Sequence, residues 1–434
     1  MDKMADVLGR AGAWCGQNKY LSAIKNAFQN FMPLTIAGAI GVLWCNVLVN
    51  DQTGLGLFFK PIMALDFLNP AFQAVNFCTI SCITVGITLG IAQEIGVWNM
   101  GAERAGYIPG LVGLAAWLSV TNTSHMVDGA KEAFTGIAGN ELGATGLFTG
   151  MIIGVLSVEL FCFFEKQDAL KIKMPEQVPP GVARAFEVLV PATITLIITA
   201  CIGSACCNLT GLYLNDVIKN GVQGPLGAVG ATVPGVMIIY LVIMLFWLVG
   251  IHGNNMLSAV KEALFTPLAL ENVEAFNKGE TPKNIINMYF LQMCGEFGGS
   301  GVTIGLVIAI MIFGKREDNK AIATLSLVPG LFNINETVTF GIPMVLNPIL
   351  GIPFVVAPLI TIIIGYVLTV IGFCPVACLT VPWTTPPLVF GFLATGANIM
   401  GAVTQAILIV VSTVIYTPFL IAYEKYQNKQ AAEV

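Results

Sequence analysis

The sequence predicts an all-α polytopic membrane protein with about ten transmembrane helices and re-entrant hairpins in its C-terminal half. Three observations carry this. Of 434 residues, 56% are hydrophobic and only 10% charged, against roughly 25% charged in soluble domains, and the mean hydropathy is +0.81. Charge-free stretches long enough to span a bilayer recur along the chain. Between Lys320 and Glu424 the only Asp, Glu, Lys or Arg is Glu336, and nine of the 22 prolines fall within 321–390. So few charges could not cover a water-soluble surface of this size, which excludes a cytoplasmic enzyme and a disordered tail. The net charge of −5 further opposes nucleic-acid binding.

At the N-terminus, Lys3, Arg10, Lys19 and Lys25 surround no apolar core that ends in a small-residue cleavage site, so no cleavable signal peptide is expected. Leu21, Ile24 and Phe28 recur at helical spacing, which predicts a cytoplasmic amphipathic segment over 1–30. Spans are expected from the charge-free runs 26–50, 67–93, 105–127, 188–215 and 220–260, from 142–164 with Glu159 alone, and from the shorter run 297–314. Lysine and arginine collect in cytoplasmic loops. The segments 1–30 and 165–187 carry four each and 252–283 carries three, whereas 51–70 and 208–234 carry one each. Alternation then puts the N-terminus and 165–187 inside. The basic loop Lys315–Lys320 belongs inside as well, which calls for a further, semi-polar crossing between about 283 and 298. The prolines after 320 imply helices broken at membrane depth, which expose backbone groups to a substrate; a set of kinked structural helices is the alternative.

The 11 cysteines contain no C-x-x-C pair and mostly lie in apolar runs, so they are read as buried hydrophobes, with no disulfide framework or metal site. Gly146, Gly150 and Gly154 form a stripe that permits close helix contact, within the protomer first and in a dimer second.

Polar groups converge in four motifs: FWLVGIHGNN (Trp247, His252, Asn254, Asn255), CGEFGGSG (Glu296, Ser300), PGLFNINET (Asn333, Asn335, Glu336, Thr337) and VPWTTPP (Trp383). A carboxylate at membrane depth costs several kcal/mol unless paired or neutralised, so Glu336 marks function, or else a protonated packing contact. His252 is one of two histidines and reads as a site residue or a satisfied core residue. Asparagines that donate and accept, carboxylates that accept from hydroxyls and tryptophan faces suit a neutral polyhydroxylated ligand. For Trp247 and Trp383, anchoring at the membrane interface is the other reading. There is no phosphate-binding loop of the ATPase type. His125, in a polar outer loop, is given no role.

Through these residues the chain resembles the membrane (IIC) component of a phosphoenolpyruvate-dependent sugar phosphotransferase system, of the lactose/cellobiose/N,N′-diacetylchitobiose type. The matching stretches are NKYLSAIKNAFQNFMPLTIAG, FWLVGIHG, EFGGSGVTIGLVIAI, PGLFNINETVTFGIPMVLNPILGIPFVVAP and VPWTTPPLVFGFLATG. One departure is Thr337, where the family pattern leads one to expect proline after the glutamate. The resemblance implies a ten-helix homodimer in the bacterial cytoplasmic membrane with both termini cytoplasmic. It implies a scaffold and dimerisation half over 31–234, a sugar-binding half over 235–422 that moves like an elevator, and a cytoplasmic tail over 423–434. A disaccharide would be phosphorylated on its 6-hydroxyl by a phosphocysteine on a separate soluble IIB protein, itself charged by IIA; no cofactor and no phospho-accepting residue of this chain is implied. Glu336 and His252 would be the catalytic pair. Asn254, Asn255, Glu296, Asn335, Thr337, Trp247 and Trp383 would hold the sugar. A proton-coupled sugar symporter with Glu336 as proton carrier, and a sugar-sensing receptor, are the alternatives.

Overall fold

The computed structural model describes residue 14 and residues 17–51, 55–125, 134–175, 177–225, 230–342, 344–345 and 347–433. Much of the expected N-terminal segment therefore lies outside the described residues, as does most of the loop after His125. Among the described residues the protein is all-helical apart from one two-stranded ribbon, β1 (Ser124–His125) and β2 (Phe134–Thr135).

The chain divides into two compact units. One comprises 17–38 and 74–227, and the other takes in 39–73 and 228–434. Among the described residues five helices are long and apolar enough to cross a membrane, or up to seven when two bent pairs are each counted as one span. Two shorter apolar helices, Ile108–Val120 and Val233–Leu248, match the charge-free runs 105–127 and 220–260.

In the first unit the principal helices are α1 (Lys19–Leu43, whose last turn belongs to the other unit), α2 (Ile83–Met100), α3 (Ile108–Val120), α4 (Ala144–Glu165) and α5 (Pro180–Thr210). Residues 19–43 form one unbroken helix, so Leu21, Ile24 and Phe28 lie on the same rod as the apolar run that follows. Trp117, Ala116, Val120 and Ile153 make a buried cluster where α3 meets α4. The glycine stripe works within the protomer. A Cβ on Gly150 would come within 2.2 Å of the Thr88 hydroxyl on α2, and one on Gly154 within 3.1 Å of the Thr88 carbonyl.

One end of this unit is laced by charge. Glu165 is buried and takes Arg104 and Arg184, each at 2.9 Å, and Glu187 takes both arginines as well. Lys19 joins Glu159 at 2.6 Å and donates to Asn99. The residues that the basic-loop argument assigns to one side thus sit at one end of the bundle.

In the second unit α6 (Val233–Leu248) leads through a short turn, α7 (Gly253–Met256), into α8 (Ser258–Asn277). Next come α9 (Met288–Gly295), α10 (Ile304–Phe313), α11 (Glu317–Leu331), α12 (Glu336–Gly341), α13 (Gly351–Val370), α14 (Val389–Ala394) and α15 (Ile399–Glu433). The semi-polar crossing expected before residue 298 is the first limb of a broken element. α9 bends by 59° into α10 across 296–303, which makes a broken span or a re-entrant segment.

A helix broken in the membrane leaves backbone groups that water cannot satisfy. Here α15 satisfies them. Ser412 donates to the Val302 carbonyl and Tyr416 to the Gly301 carbonyl, each at 2.8 Å. Gln405 donates to the Met293 carbonyl and accepts from the backbone N–H groups of Leu388 and Gly391. Buried Asn272 and Asn287 both donate to the Ala377 carbonyl at 3.0 Å, which fixes the loop before Trp383. At the far end of α15, Glu424 accepts from the backbone N–H groups of Lys315 and Arg316 and from Asn319, so the basic loop and the chain's C-terminal helix share one end of this unit.

Candidate functional site

A cavity of about 340 Å³ opens in the second unit, within the usual size range of small-ligand sites. Its wall comprises His252, Asn254 and Asn255 from the α6–α8 connection, Gln292 from α9, Glu296, Gly299 and Ser300 from the α9–α10 break, Asn333 to Glu336, and Trp383. All four sequence motifs converge on it.

The α9–α10 break is made by glycine. Gly298, Gly299 and Gly301 have φ of +70°, +89° and +77°, a region costly for side-chain-bearing residues. A Cβ on Gly299 would meet the Asn335 side chain at 2.6 Å. Asn335, 4% exposed, donates to the Ser300 carbonyl at 2.7 Å and to Thr339 at 3.2 Å. Asn333 accepts from the Gly298 N–H at 2.6 Å and donates to the carbonyls of Trp383 and Thr385. One amide thus ties three loops together. Asn254 donates to the Ser300 hydroxyl at 3.0 Å.

The titratable pair is His252 and Glu336, with Nε2 and Oε1 separated by 3.7 Å and both side chains partly open. His252 caps the short helix α7, where its Nδ1 accepts the Asn255 backbone N–H at 3.2 Å. Nδ1 must therefore offer a lone pair, and the proton of the neutral ring sits on Nε2, toward Glu336. At the other side of the wall, Glu296 Oε1 accepts from the Tyr240 hydroxyl at 2.8 Å and from the Lys261 ammonium.

Of the nine expected site residues, seven line the cavity: Glu336, His252, Asn254, Asn255, Glu296, Asn335 and Trp383. Two do not. Trp247 is 2% exposed and stacks behind His252, ring centroids 4.4 Å apart, with Phe340 and Phe354 also around it. Its large apolar ring is accommodated in the core, where it supports the imidazole. Thr337 is exposed and lies in the first turn of α12, outside the wall. That turn tolerates proline, so threonine there requires no rearrangement of the backbone beside Glu336.

Gln292 and the Lys261–Tyr240 support of Glu296 were not singled out from sequence. Lys261 offered a signal, a lysine three residues into a stretch that continues as apolar helix; it is only 6% exposed. Among the described residues no group of three or more His, Cys, Asp or Glu is placed to hold a metal ion.

Comparison with known proteins agrees with this arrangement. The family described as "Phosphotransferase system, EIIC" matches residues 25–358. The oligo-beta-mannoside-specific EIIC component of Bacillus subtilis (strain 168) is 33% identical, covering 98% of this chain and 94% of that protein. The cellobiose-specific EIIC component of Lactococcus lactis subsp. lactis (strain IL1403) is 30% identical, with 98% of each covered. The crystal structure of ChbC, the IIC component of the N,N′-diacetylchitobiose-specific system, superposes with a TM-score of 0.88 at 30% identity, covering 97% of both chains. These likenesses give no support to a proton-coupled symporter. The chain belongs to the EIIC family, the membrane component of the sugar phosphotransferase system.

Proposed function

We propose that this protein binds a β-linked disaccharide in the cavity and carries it across the cytoplasmic membrane, coupled to phosphorylation of the sugar 6-hydroxyl by a separate phospho-IIB protein that IIA recharges. The observation that carries the reading is the His252–Glu336 pair on the wall of a cavity otherwise lined by amides, a hydroxyl and an exposed tryptophan. The printed specificities of the relatives, for cellobiose, oligo-β-mannosides and diacetylchitobiose, share the β-linked form.

In this reading the 6-hydroxyl enters the gap between His252 and Glu336. Glu336 takes the hydroxyl proton as O6 attacks the phosphorus of the IIB phosphocysteine; the O6–P bond forms, the S–P bond breaks, and the thiolate leaves with the electron pair. The Nε2–H of His252 faces the charge that builds on the phosphoryl oxygens. Asn254, Asn255, Asn335 and Glu296 meet other hydroxyls, and Trp383 offers its face to a pyranose ring.

The same proposal takes the protein as a homodimer of about ten crossings with both termini cytoplasmic. A scaffold half at 31–234 stays fixed while the sugar-binding half at 235–422 moves. The clustering of Arg104, Glu165, Arg184 and Glu187, and of Lys315, Arg316 and Glu424, at ends assigned to the cytoplasm supports the orientation.

The experiment is reconstitution into vesicles with phosphorylated IIB outside and labelled cellobiose inside. Labelled cellobiose 6-phosphate should appear outside, and only with phospho-IIB. Phosphorylation undiminished in Glu336→Gln would overturn the assignment of the base.

A further inference from the structure

Lys261 stands at the start of α8, 6% exposed, and its ammonium bonds the Glu296 Oε1 that Tyr240 also holds. The ammonium also lies 5.8 Å from the Tyr240 ring centroid, on the positive side of a cation–π contact. A buried ion pair is weak as a source of stability, because desolvation offsets the attraction, and apolar residues of the same volume serve as well. Its presence beside a cavity therefore asks for another reason.

That reason lies in what the cavity offers a ligand. Three of the five amide nitrogens in its wall are already committed: Asn254 to Ser300, Asn333 to Trp383 and Thr385, Asn335 to Ser300 and Thr339. Glu296 differs from them. As a carboxylate it can only accept, and its cation is supplied by the protein on one oxygen.

We propose that Lys261 is a specificity-determining residue acting through Glu296: it pairs with one carboxylate oxygen and holds the group as an acceptor, so that this subsite demands a hydroxyl donor from the sugar at a position other than the 6-hydroxyl. The proposal rests on the sugar-binding reading of the cavity. The titratable and charged groups facing Glu296 are Tyr240 from α6, Lys261 and Glu262 from α8, and His252 from the α6–α8 connection, with Glu336 across the cavity. Among these only Lys261 brings a permanent positive charge into contact with it.

The test uses the full-length protein and a panel of cellobiose analogues, each with one hydroxyl replaced by fluorine, which keeps an acceptor and removes the donor. In the wild type, one position besides the 6-hydroxyl should lose tenfold or more in affinity. In Lys261→Gln/Glu296→Gln, which leaves neither charge without its partner, that penalty should shrink to threefold or less, since glutamine can donate as well as accept. Lys261→Met alone should bind cellobiose about tenfold more weakly than the wild type.

The same analogue profile in wild type and double variant overturns the proposal, whether or not the single variant folds. So does a folded Lys261→Met with wild-type affinity. A wild-type protein that binds no disaccharide at all would instead sink the functional reading beneath it.

Discussion

His252 and Glu336 face each other at 3.7 Å, beyond hydrogen-bond reach, while the other nitrogen of the imidazole is engaged by the Asn255 backbone at 3.2 Å. The ring is therefore fixed in orientation and tautomer without spending the group that faces the carboxylate. A ligand hydroxyl that bridges the pair completes it. Replacing His252 by glutamine should keep a donor near that place but lose the fixed ring. We expect sugar affinity within about tenfold of wild type and a phosphorylation rate reduced by roughly 10²-fold or more. Isothermal titration and a IIB-dependent phosphotransfer assay, run on the same preparation, separate the two effects.

Gly299→Ala tests the broken helix. Its φ of +89° and the 2.6 Å approach to Asn335 penalise a methyl group twice, in backbone strain and in overlap. Together these should cost roughly 2–4 kcal/mol, seen as a lower melting temperature in detergent with loss of sugar binding. Gly279→Ala is the control. It shares the positive φ, at +73°, but has open space around it, so it should pay only the strain and leave binding intact.

Glu141, outside the apolar spans, gives a pH signature. Burial raises its pKa from the ordinary 4.5, and the charge of nearby Asp216 adds to this against the opposing influence of His125 and Asn215. The folded state thus holds the proton more tightly than the unfolded one. Its contribution is fully present below about 4.5 and is lost as pH rises through the raised value. Melting curves between pH 4 and 7 should show this decline, and Glu141→Gln should flatten it. An identical pH profile in the variant would contradict the assignment.

Glu424→Ala should loosen the end of α15. The carboxylate is 5% exposed and accepts two backbone N–H groups just before α11 as well as the Asn319 amide. Leaving those donors without an acceptor costs about 2–3 kcal/mol. Thermal stability should fall while the sugar dissociation constant stays near wild type, because the cavity lies elsewhere in the unit.

Much of the site was legible because ionisable and amide groups are rare in an apolar chain and each one stands out. Glu336, His252 and the asparagines were found that way, and they do converge. Trp247 was misread for an instructive reason. The same ring surface that stacks on a sugar also fills a core, and adjacency to His252 in sequence does not say which side of the imidazole it takes. Thr337 was carried along by its neighbour Glu336, although successive residues of a helix point about 100° apart. Lys261 was counted as a loop charge for orientation, and its use as the partner of Glu296 depends on a contact between residues 35 positions apart. The crossing near 283–298 was sought as a full span because orientation arithmetic counts sides, and such arithmetic has no symbol for a helix that breaks and bends by 59°.

Asn333 has a mechanical consequence. Its single side chain fastens the glycine turn at Gly298 to the Trp383–Thr385 loop while its own backbone, at φ +63°, forms the third wall. This part of the cavity wall is riveted at one point. Spreading any two of these three loops would break bonds to the same amide and leave its polar atoms without partners. The three loops therefore keep their spacing together, and a shift of one draws the other two with it.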